Sequence, residues 1–544
     1  MRRKIEIYDT TLRDGAQMQG ISFSVEDKLK IVRCLDDFGV SFVEAGNPGS
    51  NVKDREFFDR AKKIQLRNAK LIAFGSTRRA DVGVEEDQNI KSIMMTGLKN
   101  FAIVGKCWEF HVKEVLRTTN EVNLEMIRDT IRSLVEHGAE VIFEGEHFFD
   151  GYKSNPEYAT KCLDVAFEAG ARKICLCDTN GGSFPDVVSE ITGRIVERFQ
   201  GRGDIGIHCH NDTGLAVANS VAAVNVGAVQ AQGTINGYGE RCGNTNLISL
   251  IPNLQVKMDY QCIPDESIRS LSYVARYVSE IVNIPLDEGA PYVGRRAFTH
   301  KGGMHIDAVG KNTASFEHIV PETVGNTRHI LMSEVSGRSA LLEMVQKIDP
   351  MIDRNSAVMT KIAERLKELE YKGYQYEAAE SSFELEIMKL LGKYAPSFEL
   401  ADFKVIVDEP TGAKSPGNEP TGAKSSGNDN DSVAVIKIKV NGQEEISGDE
   451  GKGPVNALDK AIRKALRRFY PELETMKLTD YRVRVLDSNA ATEARVRVLI
   501  ESTDGEETWT TIGVSTSIIQ ASWKALVDSI EYMLGKRSHV KPKC

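Results

Sequence analysis

The 544-residue chain predicts an α/β protein: a (β/α)8 TIM barrel, then a helical linker region, then a C-terminal α+β module. Three observations carry that prediction. Short β-branched runs alternate with amphipathic helical patterns through the first half of the chain. From about residue 276 to 400 the pattern is mostly helical. Beyond it, two hairpin patterns are each followed by a helix pattern.

The candidate barrel strands, in order, are "KIEIYD", "FVEAG", "KLIAFGS", "NFAIVGK", "EVIFEGE", "KICLCD", "IGIHCH" and "VQAQGTI". The first helix, within "SVEDKLKIVRCLDDFG", has Ser24 as N-cap with Asp27 three residues on, a stripe of Val25, Leu29, Val32 and Leu35, and Gly39 at its end. Eight such repeats over about 270 residues fit a closed parallel barrel, although a doubly wound sheet satisfies the same alternation. In a barrel the chemistry sits on the loops after the strands. Here those loops are "DTTLRDG", "GNPGS", "GEHFFDG", "CDTNGG", "HCHND" and "NGYGERCGN". The helical stretch carries one Gly-rich island, "AFTHKGGMHIDAVGKN". A tandem decapeptide, "EPTGAKSPGN" then "EPTGAKSSGN", is too rich in Pro, Gly, Ser and Lys to bury a core, so 409–431 is expected to be a flexible loop. After it, "AVIKIKVNGQEEIS" and "RVRVLIESTDGEETWTTIGVS" read as hairpins with Asn-Gly and Asp-Gly turns. The helices "PVNALDKAIRKAL" and "SIIQASWKALVDSI" follow them. The expected domains are therefore 1–275, 276–400 and 401–544.

Bulk properties exclude several classes. A net charge of -9 disfavours nucleic-acid and anionic-membrane surfaces as partners. No stretch approaches the roughly 20 apolar residues of a membrane span, and the apolar run at the start is too short for a signal sequence. Nine scattered cysteines fit reduced thiols in a cytoplasmic protein better than a disulfide framework. Cys175 and Cys177 lack a second cysteine pair at zinc-site spacing.

The chemistry concentrates at two strand ends. Period-two spacing in "HCHNDTGLAVANS" points His208 and His210 to one face of a strand, where they can share a metal ion or be two polar residues at a strand end. Arg13 and Asp14 end the first strand, and in a closed barrel both strand ends face one mouth. One carboxylate and two imidazoles suit a divalent ion with positions open to substrate oxygens. The Asn244 amide oxygen could complete the set. The loop with Gly237, Gly239 and Gly243 reads either as a close approach to a ligand or as a tight turn.

The segments "LRDGAQ", followed by Lys28, and "IGIHCHNDTGLAVA" resemble the two signature motifs of the 2-isopropylmalate, homocitrate and citramalate synthases. The resemblance extends through "INGYGERCGNTNL" and the C-terminal module, so it covers nearly the whole chain. The segments "GSNVKDREFF", "FGSTRR", "HVKEVLRTT" and "EHFFDGYKSNPEYA" are similar to the longer, citramalate-type members. The resemblance implies an acyltransferase that condenses acetyl-CoA with pyruvate, giving (R)-citramalate and CoA for isoleucine biosynthesis. Alternatives are a larger 2-oxo acid as substrate, a barrel lyase, or a non-catalytic amino-acid sensor.

The resemblance also assigns residues. Asp14, His208, His210 and Asn244 match ligands of a divalent ion (Mn2+, Mg2+, Co2+ or Zn2+). Arg13 matches the residue that binds substrate and stabilises charge on the ketone oxygen, and Thr179 the one that binds the substrate carboxylate. Glu146 matches the catalytic glutamate, with Glu144, two residues earlier, as its rival. His305, with Asp307 close behind, matches a histidine that the helical region delivers over the barrel mouth. Asn47 stands where a bulky aromatic is expected and Gly310 where a larger apolar residue is usual, which bears on substrate selectivity. His111, His137, His147, His318, His329 and His539 read as structural or surface residues. A homodimer is implied, with isoleucine as inhibitor near "GKGPVNA" and "GVSTSIIQAS".

Overall fold

The computed structural model describes residues 2–330, 338–353, 356–376, 379–407, 432–486, 494–505 and 507–540. The tandem decapeptide lies outside these residues. The chain divides into two compact units: Met1–Thr299 with His318–His329, and His300–Glu317 with Ile330–Cys544.

The first unit is a closed barrel of eight parallel strands in chain order. They are β1 (Glu6–Asp9), β2 (Phe42–Glu44), β3 (Lys70–Ser76), β4 (Asn100–Lys106), β5 (Glu140–Glu146), β6 (Lys173–Asp178), β7 (Asp204–Cys209) and β8 (Gln230–Gly233). Closure is made by β1 against β8, from Glu6 opposite Gln230 to Asp9 opposite Gly233, which excludes the open doubly wound sheet. Tyr8, Phe42, Ile72, Ala102 and Ile142 form a cluster of their own, as the inward side chains of a packed barrel do. The outward faces of the strands and the surrounding helices build the larger core, with Ile7, Phe143, Ile174 and Ile207 fully buried.

The helix Val25–Phe38 shows how sequence sets local structure. Ser24 and Asp27 make a reciprocal capping box, and Gly39 ends the helix at φ 95°. Leu29, Val32 and Leu35 are buried, and Val25 is half-buried. The buried Lys28 ammonium turns inward to donate to the Ala45 carbonyl (2.8 Å) and to Asp54 (2.5 Å), fixing the loop after β2.

The second unit holds the helices Arg338–Ile348, Ala357–Tyr371 and Glu380–Leu390, with Leu341, Val345, Ile362 and Phe383 in their shared core. It also contains two three-stranded antiparallel sheets, Glu399–Val407, Ser432–Val440, Gln443–Gly451 and Lys477–Val485, Val496–Thr503, Thr508–Ser515. Each sheet is followed by a helix, Pro454–Arg467 or Ile518–Val540. The hairpins and helices agree with expectation, and Asn441 and Gly442 take the positive φ values of 50° and 83° that such a two-residue turn needs. The leading strand of each sheet was not anticipated. Its residues are mostly exposed on both faces, so it lacks the apolar alternation that marks a half-buried strand.

Gly233 links fold to site. A Cβ there would lie 2.3 Å from the Thr245 carbonyl oxygen, in the segment that carries Asn244. Gly233→Ala is expected to destabilise the barrel by about 1–3 kcal/mol, as overpacking does, measured as a lower urea midpoint for the loss of barrel helicity.

Candidate active site and metal centre

The turn after β1 is set by the carboxylate of Asp9. It accepts from the Thr11 amide at 3.0 Å and the Thr11 hydroxyl at 2.8 Å. Burial pushes the Asp9 carboxyl up to about 7. Amides of Arg13, Asp14 and Gly15 all donate to the Thr10 carbonyl, which projects Arg13 and Asp14 at the mouth. On the far side of the β1–β8 closure, His208 lies in β7 and His210 just beyond it.

These residues meet. The Asp14 Oδ2 atom is 3.3 Å from His208 Nε2 and 3.7 Å from His210 Nε2, and all three side chains are buried. Asn244 pairs with His210 in an isolated bridge, and its neighbour Thr245 donates its amide to the Cys209 carbonyl. The Asn244 amide nitrogen donates to the Tyr238 carbonyl at 3.1 Å, leaving its Oδ1 buried and without a partner. Gly239 admits this side chain, because a Cβ there would come within 2.2 Å of Asn244 Nδ2. Gly243, at φ 87°, forms a tight turn against the Gly237 carbonyl.

The donor set fits a divalent ion. Gln232 gives its amide N–H to Glu144 (2.7 Å) and turns its oxygen to His208 Nδ1 (3.1 Å). That fixes one proton on Nδ1 and aims Nε2 at the Asp14 carboxylate. Burial lowers the His208 imidazole but Asp14 raises it, and a divalent ion bound there would take the place of the Nε2 proton. The orphaned Asn244 oxygen, on the residue bridged to His210, is available as a further donor beside the two imidazoles and the Asp14 carboxylate. Burial by itself would raise the Asp14 carboxyl, but Arg13, then His208 and His210, hold it far below the usual carboxylate range. Burial, then the charge of His208, brings His210 down to about 4, which favours the neutral, ligating imidazole.

Arg13 is held by buried anions. Its Nε donates to Glu44 at 2.6 Å, and Nη1 lies 3.6 Å from Asp14. Its guanidinium also stacks 4.0 Å above the Phe74 ring. Glu44 is fully buried and further accepts from the Tyr8 hydroxyl (2.8 Å) and the Thr10 hydroxyl. Arg13, Phe74 and Asn47 line a cavity of about 300 Å3 together with Leu12, Lys28 and Asp54.

The two candidate glutamates have different surroundings. Glu144 is buried in the barrel, with Gln232 on one oxygen and the Cys177 thiol 3.6 Å from the other. With Cys175 and Cys177 it forms a second buried group of metal-type donors. Glu146 sits at the rim in an ion pair with Lys106. Thr179 accepts from the His147 amide at 2.9 Å through its hydroxyl, and from Arg241 at 2.8 Å through its carbonyl. His305 and Asp307 belong to the second unit, on the helix Gly303–Lys311. The His305 ring stacks on Phe316 at 4.1 Å, and Asp307 pairs with Lys311 at 2.6 Å. Open space surrounds Gly310 on the same helix.

Sequence reasoning missed Glu44, Gln232, Lys106, His111 and His147. An acid ending "FVE" and two glutamines at period-two spacing in "QAQG" are legible signals of polar side chains facing one lumen. His111 and His147, read from the sequence as structural or surface residues, come together in space. Their rings lie 4.2 Å apart beside Trp108, at the ends of β4 and β5, and His147 adopts φ 52°. His147 Nδ1 is 3.2 Å from Asp150, while His111 Nδ1 is buried without a partner. Separated by 36 residues, they meet only because β4 and β5 pair in parallel.

A closed barrel with this carboxylate, imidazole and amide cluster at one mouth defines a protein of the HMGL-like class, whose profile matches residues 4–274. A homocitrate synthase post-HMGL domain-like profile matches 292–373, and the LeuA allosteric (dimerisation) domain matches 421–534. The chain is 48% identical to the (R)-citramalate synthase of Aquifex aeolicus, covering 98% of this chain and 99% of that protein. It is 46% identical to the (R)-citramalate synthase of Geobacter sulfurreducens (99% of each) and 30% identical to the 2-isopropylmalate synthase of Methanocaldococcus jannaschii (98% and 95%). The chain belongs to the (R)-citramalate synthase family.

Gln232→Leu is expected to weaken binding of a divalent ion by about 10- to 100-fold, measured by calorimetry on chelator-treated protein, because His208 loses the partner that orients it. Unchanged affinity would separate His208 from the metal centre.

Proposed function

We propose that this chain condenses acetyl-CoA with pyruvate to (R)-citramalate and free CoA, as a divalent-metal-dependent acyltransferase of isoleucine biosynthesis. The observation that carries this reading is the donor set of Asp14, His208, His210 and Asn244 beside Arg13, in a chain matching an (R)-citramalate synthase over 98% of its length. A divalent ion held by these four residues, with Mn2+, Mg2+, Co2+ and Zn2+ as the candidates, supplies Lewis-acid polarisation of the 2-oxo acid.

The other roles belong to the chain itself. Arg13, fixed by Glu44 and Phe74, presents a permanent positive charge to the ketone oxygen as negative charge develops there. The Thr179 hydroxyl, already accepting from His147, keeps its own hydrogen for the substrate carboxylate. Glu146 takes the proton from the acetyl methyl. Its open rim position supports it over Glu144, both of whose oxygens are engaged inside the barrel. His305 and Asp307 are assigned as further catalytic residues.

The division into a barrel to residue 275, a helical linker region to 400 and a regulatory module beyond draws support from the positions of the three matching profiles. The LeuA match favours a homodimer. No described helix is long and apolar enough to cross a membrane, and the eight cysteines among the described residues are free thiols. Reduced thiols fit the cytoplasm.

Pyruvate is expected to exceed 2-oxoisovalerate in kcat/KM by at least about tenfold, because a pocket shaped for one methyl overlaps a branched chain. Release of free thiol with each 2-oxo acid measures the ratio, and equal values would move the chain to the isopropylmalate branch. Isoleucine is the expected inhibitor, with its carboxylate received at the N-termini of the helices that begin at Pro454 and Ile518. Calorimetry and rate assays with isoleucine, leucine and valine on the intact chain test this. If none binds or slows the enzyme at millimolar concentration, the C-terminal module is structural only.

A further inference from the structure

Lys106 and Glu146 lie directly opposite each other in the parallel β4–β5 ladder. Their side chains form an ion pair at the barrel mouth, and each is roughly a quarter exposed (20% and 24%). The end of β4 is firmly held. The Lys106 carbonyl accepts from the Asn123 amide at 2.9 Å and lies 3.7 Å from the Cys162 thiol. The ammonium is therefore presented to the mouth from a rigid strand rather than a loose loop. Arg13 at this mouth is committed to Glu44, Asp14 and the ring of Phe74, and Arg241 to Asp212 and the Thr179 carbonyl.

A base alone does not make an enolate. As the proton leaves the acetyl methyl, one unit of negative charge disappears from the base and reappears on the thioester oxygen. That charge is stabilised by a fixed donor already in place. An ammonium paired with the base meets this requirement without any change in the net charge around it. Before transfer it faces a carboxylate, and afterwards a neutral acid and an enolate oxygen.

We propose that Lys106 is a catalytic residue, the electrophile that stabilises the enolate of acetyl-CoA. This rests on the reading of Glu146 as the base. In the step, a Glu146 carboxylate oxygen takes the methyl proton. The C–H electron pair becomes the C=C bond, and the thioester π pair moves onto oxygen, where Lys106 Nζ donates a hydrogen bond and keeps its proton. The enolate then attacks the ketone carbon of the 2-oxo acid, the thioester C=O re-forms, and the ketone π pair moves to its own oxygen beside Arg13. Glu146 retains the proton.

The test uses the full chain with Mn2+ present and two unreactive thioethers of CoA. Carboxymethyl-CoA bears negative charge near the position of the enolate oxygen, and acetonyl-CoA is its neutral counterpart. Lys106→Met should lower kcat by about 100- to 1,000-fold, the cost of losing an oxyanion donor, and weaken carboxymethyl-CoA at least about tenfold. Acetonyl-CoA binding and the KM for pyruvate should stay within about threefold. Lys106→Arg should restore much of the preference for carboxymethyl-CoA. Glu146→Gln should abolish turnover yet bind carboxymethyl-CoA at least as tightly, since a like charge is removed. If Lys106→Met keeps kcat within about threefold, or weakens both thioethers equally, Lys106 is not the electrophile. If Glu146→Gln retains turnover, the base reading fails instead.

Discussion

Closing a parallel sheet on itself gives every strand two hydrogen-bonded neighbours, and here closure is the pairing of β1 with β8. Everything at the mouth depends on that pairing. It brings Asp14 within 3.3 Å of His208, almost two hundred residues later in the chain. It also places Gln232 of β8 between Glu144 of β5 and His208 of β7. A barrel with one more or one fewer strand would separate these groups. The small residues at the seam serve the same closure, as Gly233 shows by leaving room for the segment that carries Asn244.

The charges gathered there are costly to bury, and the structure compensates them in a connected set. Glu44 takes three donors, from Tyr8, Thr10 and Arg13. Arg13 in turn faces Asp14, and Asp14 faces two imidazoles. The set has a donor to spare, since the Asn244 amide oxygen remains buried and unpartnered on the residue bridged to His210. The rim, by contrast, balances its own charge through Lys106 and Glu146. The mouth thus separates a buried cluster of metal-type donors from an ion pair at its rim.

The second unit follows another logic. Its two sheets are antiparallel, so tight turns suffice to join neighbouring strands, and each sheet covers one helix with its apolar face. Ile436 and Ile438 from one repeat, and Val498, Ile500 and Trp509 from the other, enter one core with Leu458, Ile462, Leu526 and Ile530. Two copies of a plan that is too small to bury its own core become stable by sharing one.

Local information was enough for much of this. The capping box of Ser24 and Asp27, the left-handed Gly39, the Asn441–Gly442 turn and all eight barrel strands follow from short-range sterics and hydrogen bonding. Period-two spacing likewise put His208 and His210 on one face without any knowledge of the fold. Tertiary structure alone decided the rest. Which strand neighbours which is a property of the closed sheet, so the Lys106–Glu146 pair, the His111–His147 contact and the Gln232 bridge have no local signature. The distinction between Glu144 and Glu146 is of the same kind. Both share a strand and a face, and only their depth in the barrel makes one a buried hydrogen-bond acceptor and the other an open carboxylate at the mouth.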